Sequence, residues 1–154
     1  MLFFEDGEPF ASAATRYEYR PVTESEVTPR IIVPIVLNNS FPTLAFVDTG
    51  GIYGICSPEI AEALNIDPKD GVILKQLRWR RYEYDGTLHR IPITIEAEEG
   101  YSFQFEATFF IPQLNPNDVW VLGTGCILGM YYCLERIRFA VDPGTDTFYF
   151  GELT

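Results

Sequence analysis

An aspartate closes an apolar run at Leu44-Ala45-Phe46-Val47-Asp48 and is followed at once by Thr49-Gly50-Gly51. The glycines permit a sharp turn and a close approach of backbone to backbone. A carboxylate at the end of a buried strand is costly unless donors or a partner compensate it. The N–H groups of the glycine turn are available as donors, and the Thr49 hydroxyl is placed to lock the turn. Held in this way, Asp48 has the type and the setting of a general base. The same tetrapeptide also makes a good plain turn, so the chemistry depends on what surrounds it. The rest of the chain offers few alternatives. One histidine, His89, and three cysteines, Cys56, Cys126 and Cys133, cannot assemble a thiolate–imidazole metal cluster at the usual spacing. No Cys–His nucleophile pair stands out, and neither metal nor cofactor is expected.

The elements that must position Asp48 come from a chain of 154 residues, the length of one domain. Its 47% hydrophobic content fits a globular protein rather than a disordered one. A net charge of −11 argues against nucleic acid and anionic membrane as partners, since both call for a basic surface. Three cysteines without a spaced framework do not read as a disulfide scaffold. No basic leader precedes an apolar segment, and no stretch reaches the length of a membrane span. A cytoplasmic location with reduced thiols is the expectation.

Residues 1–15 read as a loose extension, and 16–23 as an edge strand, because Pro21 excludes a central one. Residues 30–37 and 43–48 read as strands joined by a turn at Asn38-Asn39-Ser40. A short strand, Ile52 to Cys56, precedes a helix that starts with Ser57 as N-cap and Pro58 at the first helical position. Residues 74–96 read as a hairpin with its tip at Asp85-Gly86, a favoured two-residue turn. The alternating apolar residues of 101–111 form the next strand. Val119-Trp120-Val121-Leu122 reads as a buried strand ending at Gly123, followed by a helix over 124–135. A final hairpin spans 137–151 across Pro143-Gly144. The sum is an all-β barrel with one or two short helices.

In this order the segments resemble the single-lobe, retropepsin-like aspartic proteases, of bacterial type. The resemblance rests on Ile31 to Leu37, then Ala45-Phe46-Val47-Asp48-Thr49-Gly50, then Tyr84-Asp85-Gly86-Thr87 where the family places its flap tip. It continues with Val121-Leu122-Gly123 as the apolar-apolar-Gly element behind the catalytic turn, and with Arg138 to Asp142 before Pro143. Ile127-Leu128-Gly129 is a rival for that element. The match covers about residues 28–150, which divides the chain into an N-terminal extension, 1–27, and a protease domain, 28–154. The sequence departs from the family in having Gly51 where Ala or Ser is usual, and in a flap that is not glycine-rich. The resemblance implies an acid-protease barrel in which Asp48, Thr49 and Gly50 are catalytic. Gly51, Tyr82, Tyr84, Asp85 and Gly86 would then bind substrate, and Leu122 and Gly123 would support the site.

Hydrolysis of a peptide without metal or covalent nucleophile needs a base to activate water and an acid to polarise the carbonyl. Two carboxylates sharing a proton supply both, as is established for aspartic-protease dyads, because like charges at that range cannot both ionise. This chain has one Asp-Thr-Gly; Asp146-Thr147 is followed by Phe148. With no internal repeat, the second acid must come from another copy across a two-fold axis, with Thr49 bracing the turns as the resemblance implies. The resulting reading is a homodimeric aspartic endopeptidase acting on peptide or protein substrates. A non-catalytic peptide-binding or assembly module on the same fold is the alternative. His89 reads as a solvated strand residue. Arg78, Arg80, Arg81 and Arg90 read as a solvated face that could instead favour acidic substrates or pair with the acidic extension.

Overall fold

The alternating apolar segments pair into a closed barrel. The computed structural model describes residues 1–123 and 125–153. In chain order the strands are β1 (Leu2–Phe3), β2 (Pro9–Ala11), β3 (Ala13–Arg16), β4 (Glu18–Arg20), β5 (Arg30–Leu37), β6 (Phe41–Val47) and β7 (Gly54–Cys56). Helix α1 (Pro58–Ala63) follows, then β8 (Val72–Trp79), β9 (Tyr82–Ile95), β10 (Phe103–Pro112), β11 (Cys126–Leu128), β12 (Ile137–Asp142) and β13 (Thr147–Glu152). Short 3₁₀ turns lie at Pro68–Asp70 and Leu134–Arg136. The main sheet runs β4-β5-β6-β11-β7-β10-β9-β8, and β9 pairs back onto β5 through Ile35–Ile95 and its neighbours, which closes the barrel. A second sheet has the order β12-β13-β3.

Side chains on successive strand residues point to opposite faces, and here both faces are packed. Ala45, Phe109, Cys126 and Leu128 face the main core with Val33, Ile35, Leu37, Ile91, Ile93 and Ile95. Their neighbours Phe46, Phe110 and Ile127 face a second cluster with Ile32, Ile55, Tyr84 and Leu122. Burying one such side chain contributes about 1.5–3 kcal/mol. The turn at Asn38 and Asn39 holds both at positive φ, 51° and 59°, a region that Asn tolerates better than most residues. Helix α1 starts as expected: the Ser57 hydroxyl accepts the Ile60 N–H at 3.4 Å, and Pro58 stands in the first turn.

The edge strand expected within 16–23 is present as β4, at the edge of the main sheet beside β5. Three features of the fold differ from the sequence reading. Residues 1–15 are not loose: β3 pairs with β13, and Ala13, Ala14 and Thr15 are buried. The β8–β9 hairpin turns at Arg80-Arg81, with Trp79 opposite Tyr82 and Arg80 at φ 58°, not at Asp85-Gly86. The Asp-Gly pair is used in a bulge instead. Lys75 and Gln76 stand opposite the single Asp85, whose carboxylate accepts the Gln76 N–H at 2.9 Å. Gly86 lies so close to β10 that a Cβ there would meet the Ile111 carbonyl oxygen at 2.2 Å. Lastly, Val119–Val121 form no strand and the expected helix over 124–135 is absent among the described residues; Thr124 lies outside them. Cys126–Leu128 are drawn into the barrel as β11, parallel to β6 and antiparallel to β7.

The three thiols are free and buried. Hydrogen bonding with Cys56 and burial push the Cys126 thiol well up, and burial pushes Cys133 up to about 12. Thiolate is the reactive form, so a thiol-specific colorimetric reagent at pH 8 should modify none of the three in the native protein and all of them in denaturant. Rapid native labelling would contradict this packing.

Candidate active site

Strand β6 ends at Val47, and Asp48 begins the turn that follows. Because Phe46 faces the second cluster, the alternation carries Asp48 towards that same side. The turn is fixed by backbone contacts. The Asp48 N–H donates to the Leu128 carbonyl at 3.0 Å, and the Gly51 N–H donates to the Asp48 carbonyl at 3.2 Å. The Gly50 N–H donates to Asp48 Oδ1 at 3.1 Å, so a turn N–H is the donor that steadies the carboxylate. Beyond the turn, the N–H groups of Met130 and Tyr131 donate to the carbonyls of Gly51 and Ile52 at 2.9 and 2.7 Å. The segment 128–131 therefore stitches the whole Asp48 turn from behind.

This locates the apolar-apolar-Gly element at Ile127-Leu128-Gly129 and corrects the choice of Leu122 and Gly123. A Cβ at Gly129 would meet the Tyr53 carbonyl carbon at 2.4 Å, whereas Gly123 has nothing within 4 Å of that position. Gly123 is exposed at φ +73°, and Leu122 is buried in the second cluster. The departure at position 51 also has a local reason. A Cβ on Gly51 would stand 3.0 Å from Asp48 Oδ2, so any side chain there would press on the carboxylate.

Asp48, Gly50 and Gly51 line one wall of an open cleft of about 410 Å³. Tyr53 and Ile55 continue that wall, and Leu74, Leu77 and Trp79 of β8 stand opposite, with Lys75 and Arg78 at the margin. Asp48 is half-buried, while Thr49 and Gly50 are exposed. The other substrate-binding expectations lie elsewhere. Tyr84 is buried, packed edge-on against Trp120 with 5.2 Å between ring centroids, and its hydroxyl donates to the Val119 carbonyl. Tyr82 stacks beside Tyr84. Asp85 and Gly86 are held in the bulge and face a different hollow, with Lys69 and Thr87. Tyr82, Tyr84, Asp85 and Gly86 are therefore not cleft-lining residues; Leu74, Leu77 and Trp79 take that role. The bulge hid them in the sequence, because it places Leu74 and Leu77 on one wall despite a spacing that an unbroken strand would split between its faces.

The hairpin arginines divide. Arg78 pairs with Glu83 at 2.8 Å, and Arg81 lies over the Tyr82 ring at 5.6 Å. Arg90 and Arg136 enclose the Tyr132 ring at 4.2 and 4.3 Å. Arg80 pairs with Glu26 of the N-terminal segment.

His89 is half-buried rather than solvated, with Nε2 2.7 Å from the Thr87 hydroxyl. Burial lowers its pKa below the usual value, against the opposing pull of the Pro68 carbonyl, Asp70 and Asp67. The unfolded chain therefore binds the proton first as pH falls, and the stability that neutral His89 contributes is full above about pH 6.5 and is lost below it. Thermal melting of the wild type should show this loss between pH 7 and 5. His89→Gln should flatten that step; an unchanged slope would remove His89 as its source.

No protein-family model matches the sequence, and no curated protein matches it. The fold is similar to that of a number of solved structures, among them the following two. One is a retropepsin-like aspartic protease from Rickettsia conorii, at 18% identity and a TM-score of 0.54, covering 91% of this chain and 95% of that one. The other is the retroviral protease-like domain of Ddi1 from Leishmania major, at 17% identity and a TM-score of 0.51, covering 81% of this chain and 94% of that one. With its closed barrel, its Asp-Thr-Gly turn and the strand at Cys126–Leu128 threaded behind that turn, the chain has the retropepsin-like fold.

Proposed function

We propose that the protein is an aspartic endopeptidase whose catalytic pair is Asp48 and its counterpart in a second copy. The observation that carries this reading is the Asp48 turn itself. A carboxylate is fixed by the Gly50 N–H, its turn is anchored to Leu128 from behind, and it opens onto a cleft of about 410 Å³. One such carboxylate can take a proton from water but cannot at the same time polarise the scissile carbonyl as an acid. A symmetry-related Asp48 supplies the second group. The exposure of Thr49, whose hydroxyl makes no hydrogen bond among the described residues, and of Ile52 at 66%, supports a second copy at this face. In that assembly Thr49 braces the two turns across the axis.

Substrate lies extended between the Asp48 turn and β8, bonding strand to strand through its main chain. Leu74, Leu77 and Trp79 offer its side chains an apolar wall. Water attacks the peptide carbonyl as one carboxylate accepts its proton. The protonated partner donates to the carbonyl oxygen, and collapse of the tetrahedral intermediate releases the amine after proton transfer to nitrogen. No helix among the described residues is long and apolar enough to cross a membrane. Three free, buried thiols are consistent with the cytoplasm as the site of action.

The test is a peptide-library digest with the wild type beside Asp48→Asn, with the mass in solution measured in parallel. Cleavage that requires Asp48 and a dimer supports the reading. A strict monomer, or peptide binding without cleavage by either protein, favours the non-catalytic module.

A further inference from the structure

Glu26 stands in the segment before β5, and its side chain is only 5% exposed. A carboxylate is costly to bury unless paired, and this one has two cationic partners. Arg30 reaches Oε1 at 3.1 Å from four residues further on, and Arg80 reaches the same oxygen at 2.5 Å from the tip of the β8–β9 hairpin. The contacts close into a ring. The Arg30 guanidinium lies over the Phe46 ring at 5.4 Å, the Phe46 ring packs on Trp79 at 5.8 Å, and the Arg80 guanidinium lies over Trp79 at 5.6 Å. Glu26 joins the two arginines and completes the circuit.

Phe46 is on the strand that carries Asp48, two residues before it, and Trp79 forms part of the wall opposite Asp48. The ring therefore fastens the hairpin tip to the catalytic strand across one end of the cleft. Lifting the tip removes one of the two cations from a buried carboxylate and uncovers Phe46. Both losses fall on the open state only.

We propose that Glu26 is a latch: its contact with Arg80 holds the hairpin tip down on Phe46, and a peptide enters the cleft by breaking that contact. The proposal rests on the cleft being the peptide site, and Glu26 and Arg80 act in it as positioning residues, not catalytic ones.

Amide hydrogen exchange at residues 76–83 reads the latch without reference to catalysis, and initial cleavage rates at limiting peptide read its effect on entry. The comparison is wild type, Glu26→Gln and Arg80→Gln. Glu26→Gln also disturbs Arg30 on β5, whereas Arg80→Gln leaves the Glu26–Arg30 pair intact; because Arg80→Gln still takes one cation from a buried carboxylate, both variants are assayed below the onset of their own melting curves. Exchange at the tip should quicken roughly tenfold in both variants, as expected when a local opening loses its main restraint, and kcat/KM should rise severalfold. Tip exchange unchanged in Arg80→Gln overturns the latch. Faster exchange with slower cleavage overturns its gating role, since the contact would then belong to the assembled site. Faster exchange with no cleavage by any of the three proteins leaves the latch standing and removes the peptidase reading.

Discussion

Asp48→Asn should abolish peptide turnover while leaving the fold intact. The amide preserves the shape of the carboxylate, and its oxygen can still accept the Gly50 N–H that now lies 3.1 Å from Oδ1. The contacts that hold the turn, from Asp48 to Leu128 and from Gly51 back to Asp48, are made by backbone atoms and do not involve the substituted group. What is lost is the ability to accept a proton from water. General-base catalysis contributes about 10²–10⁴-fold, and in the proposed symmetric dimer one substitution changes both halves of the pair, so the loss should lie at or beyond the upper end. In the proposed dimer two like charges would face each other across the axis, and removing them should leave dimer affinity unchanged or higher. Sedimentation of the variant should therefore give at least as much dimer as the wild type, with an unaltered melting curve. On the same proposal, wild-type activity per chain should fall on dilution below the dimer dissociation constant, because each copy would carry half of the pair. Activity retained in a verified Asp48→Asn preparation would place the chemistry elsewhere.

The parts of this site that the sequence disclosed are those set by local chemistry. Asp48-Thr49-Gly50 at the end of an apolar run, the Asn38-Asn39 turn and the Ser57-Pro58 helix start are each written within a few residues, and each is where its residue types require. The parts that stayed hidden depend on tertiary placement. Asp85-Gly86 has the composition of a hairpin tip, but the close approach of β10 demands a glycine at 86, and the bulge at Lys75-Gln76 uses the aspartate opposite it. Arg80-Arg81 carries no turn signature, and nothing local marks it as the tip. Cys126-Ile127-Leu128 is too short to show a period, and the glycines at its ends fit a broken helix as well as a strand. Only the slot between β6 and β7, filled by these three residues, decides the matter. Pairing of the hairpin arginines with the acidic extension was legible as an alternative, but the partners Glu26 and Arg80 were not, since they lie on segments that meet only once the barrel has closed.

The choice between the two glycines that could back the Asp48 turn gives the second large effect. Gly129→Ala should be severe and Gly123→Ala mild. At 129 the added methyl would meet the Tyr53 carbonyl carbon at 2.4 Å, its oxygen at 2.6 Å and the Gly54 nitrogen at 2.7 Å. All three are backbone atoms of the chain leading into β7, so relief requires two strands to part. Overpacking of this kind typically costs about 1–3 kcal/mol and occasionally more, and the upper end is expected where no flexible side chain can yield. For a domain of this size, 3 kcal/mol corresponds to a fall of roughly 6–12 °C in melting temperature. Activity should fall further than stability alone explains. The displaced segment includes Leu128, whose carbonyl holds the Asp48 N–H at 3.0 Å, and a misplacement of about 1 Å at a catalytic group can cost about 10²-fold. At 123 there is open space, and the only penalty is a left-handed backbone, φ +73°, worth about 1–2 kcal/mol for a residue with a Cβ. That change should leave kcat near the wild-type value. Melting curves and steady-state rates of the two variants side by side decide it. If Gly123→Ala proves the more damaging in both, the strand behind Asp48 is the one at Val121-Leu122-Gly123, and β11 does not fill the slot between β6 and β7.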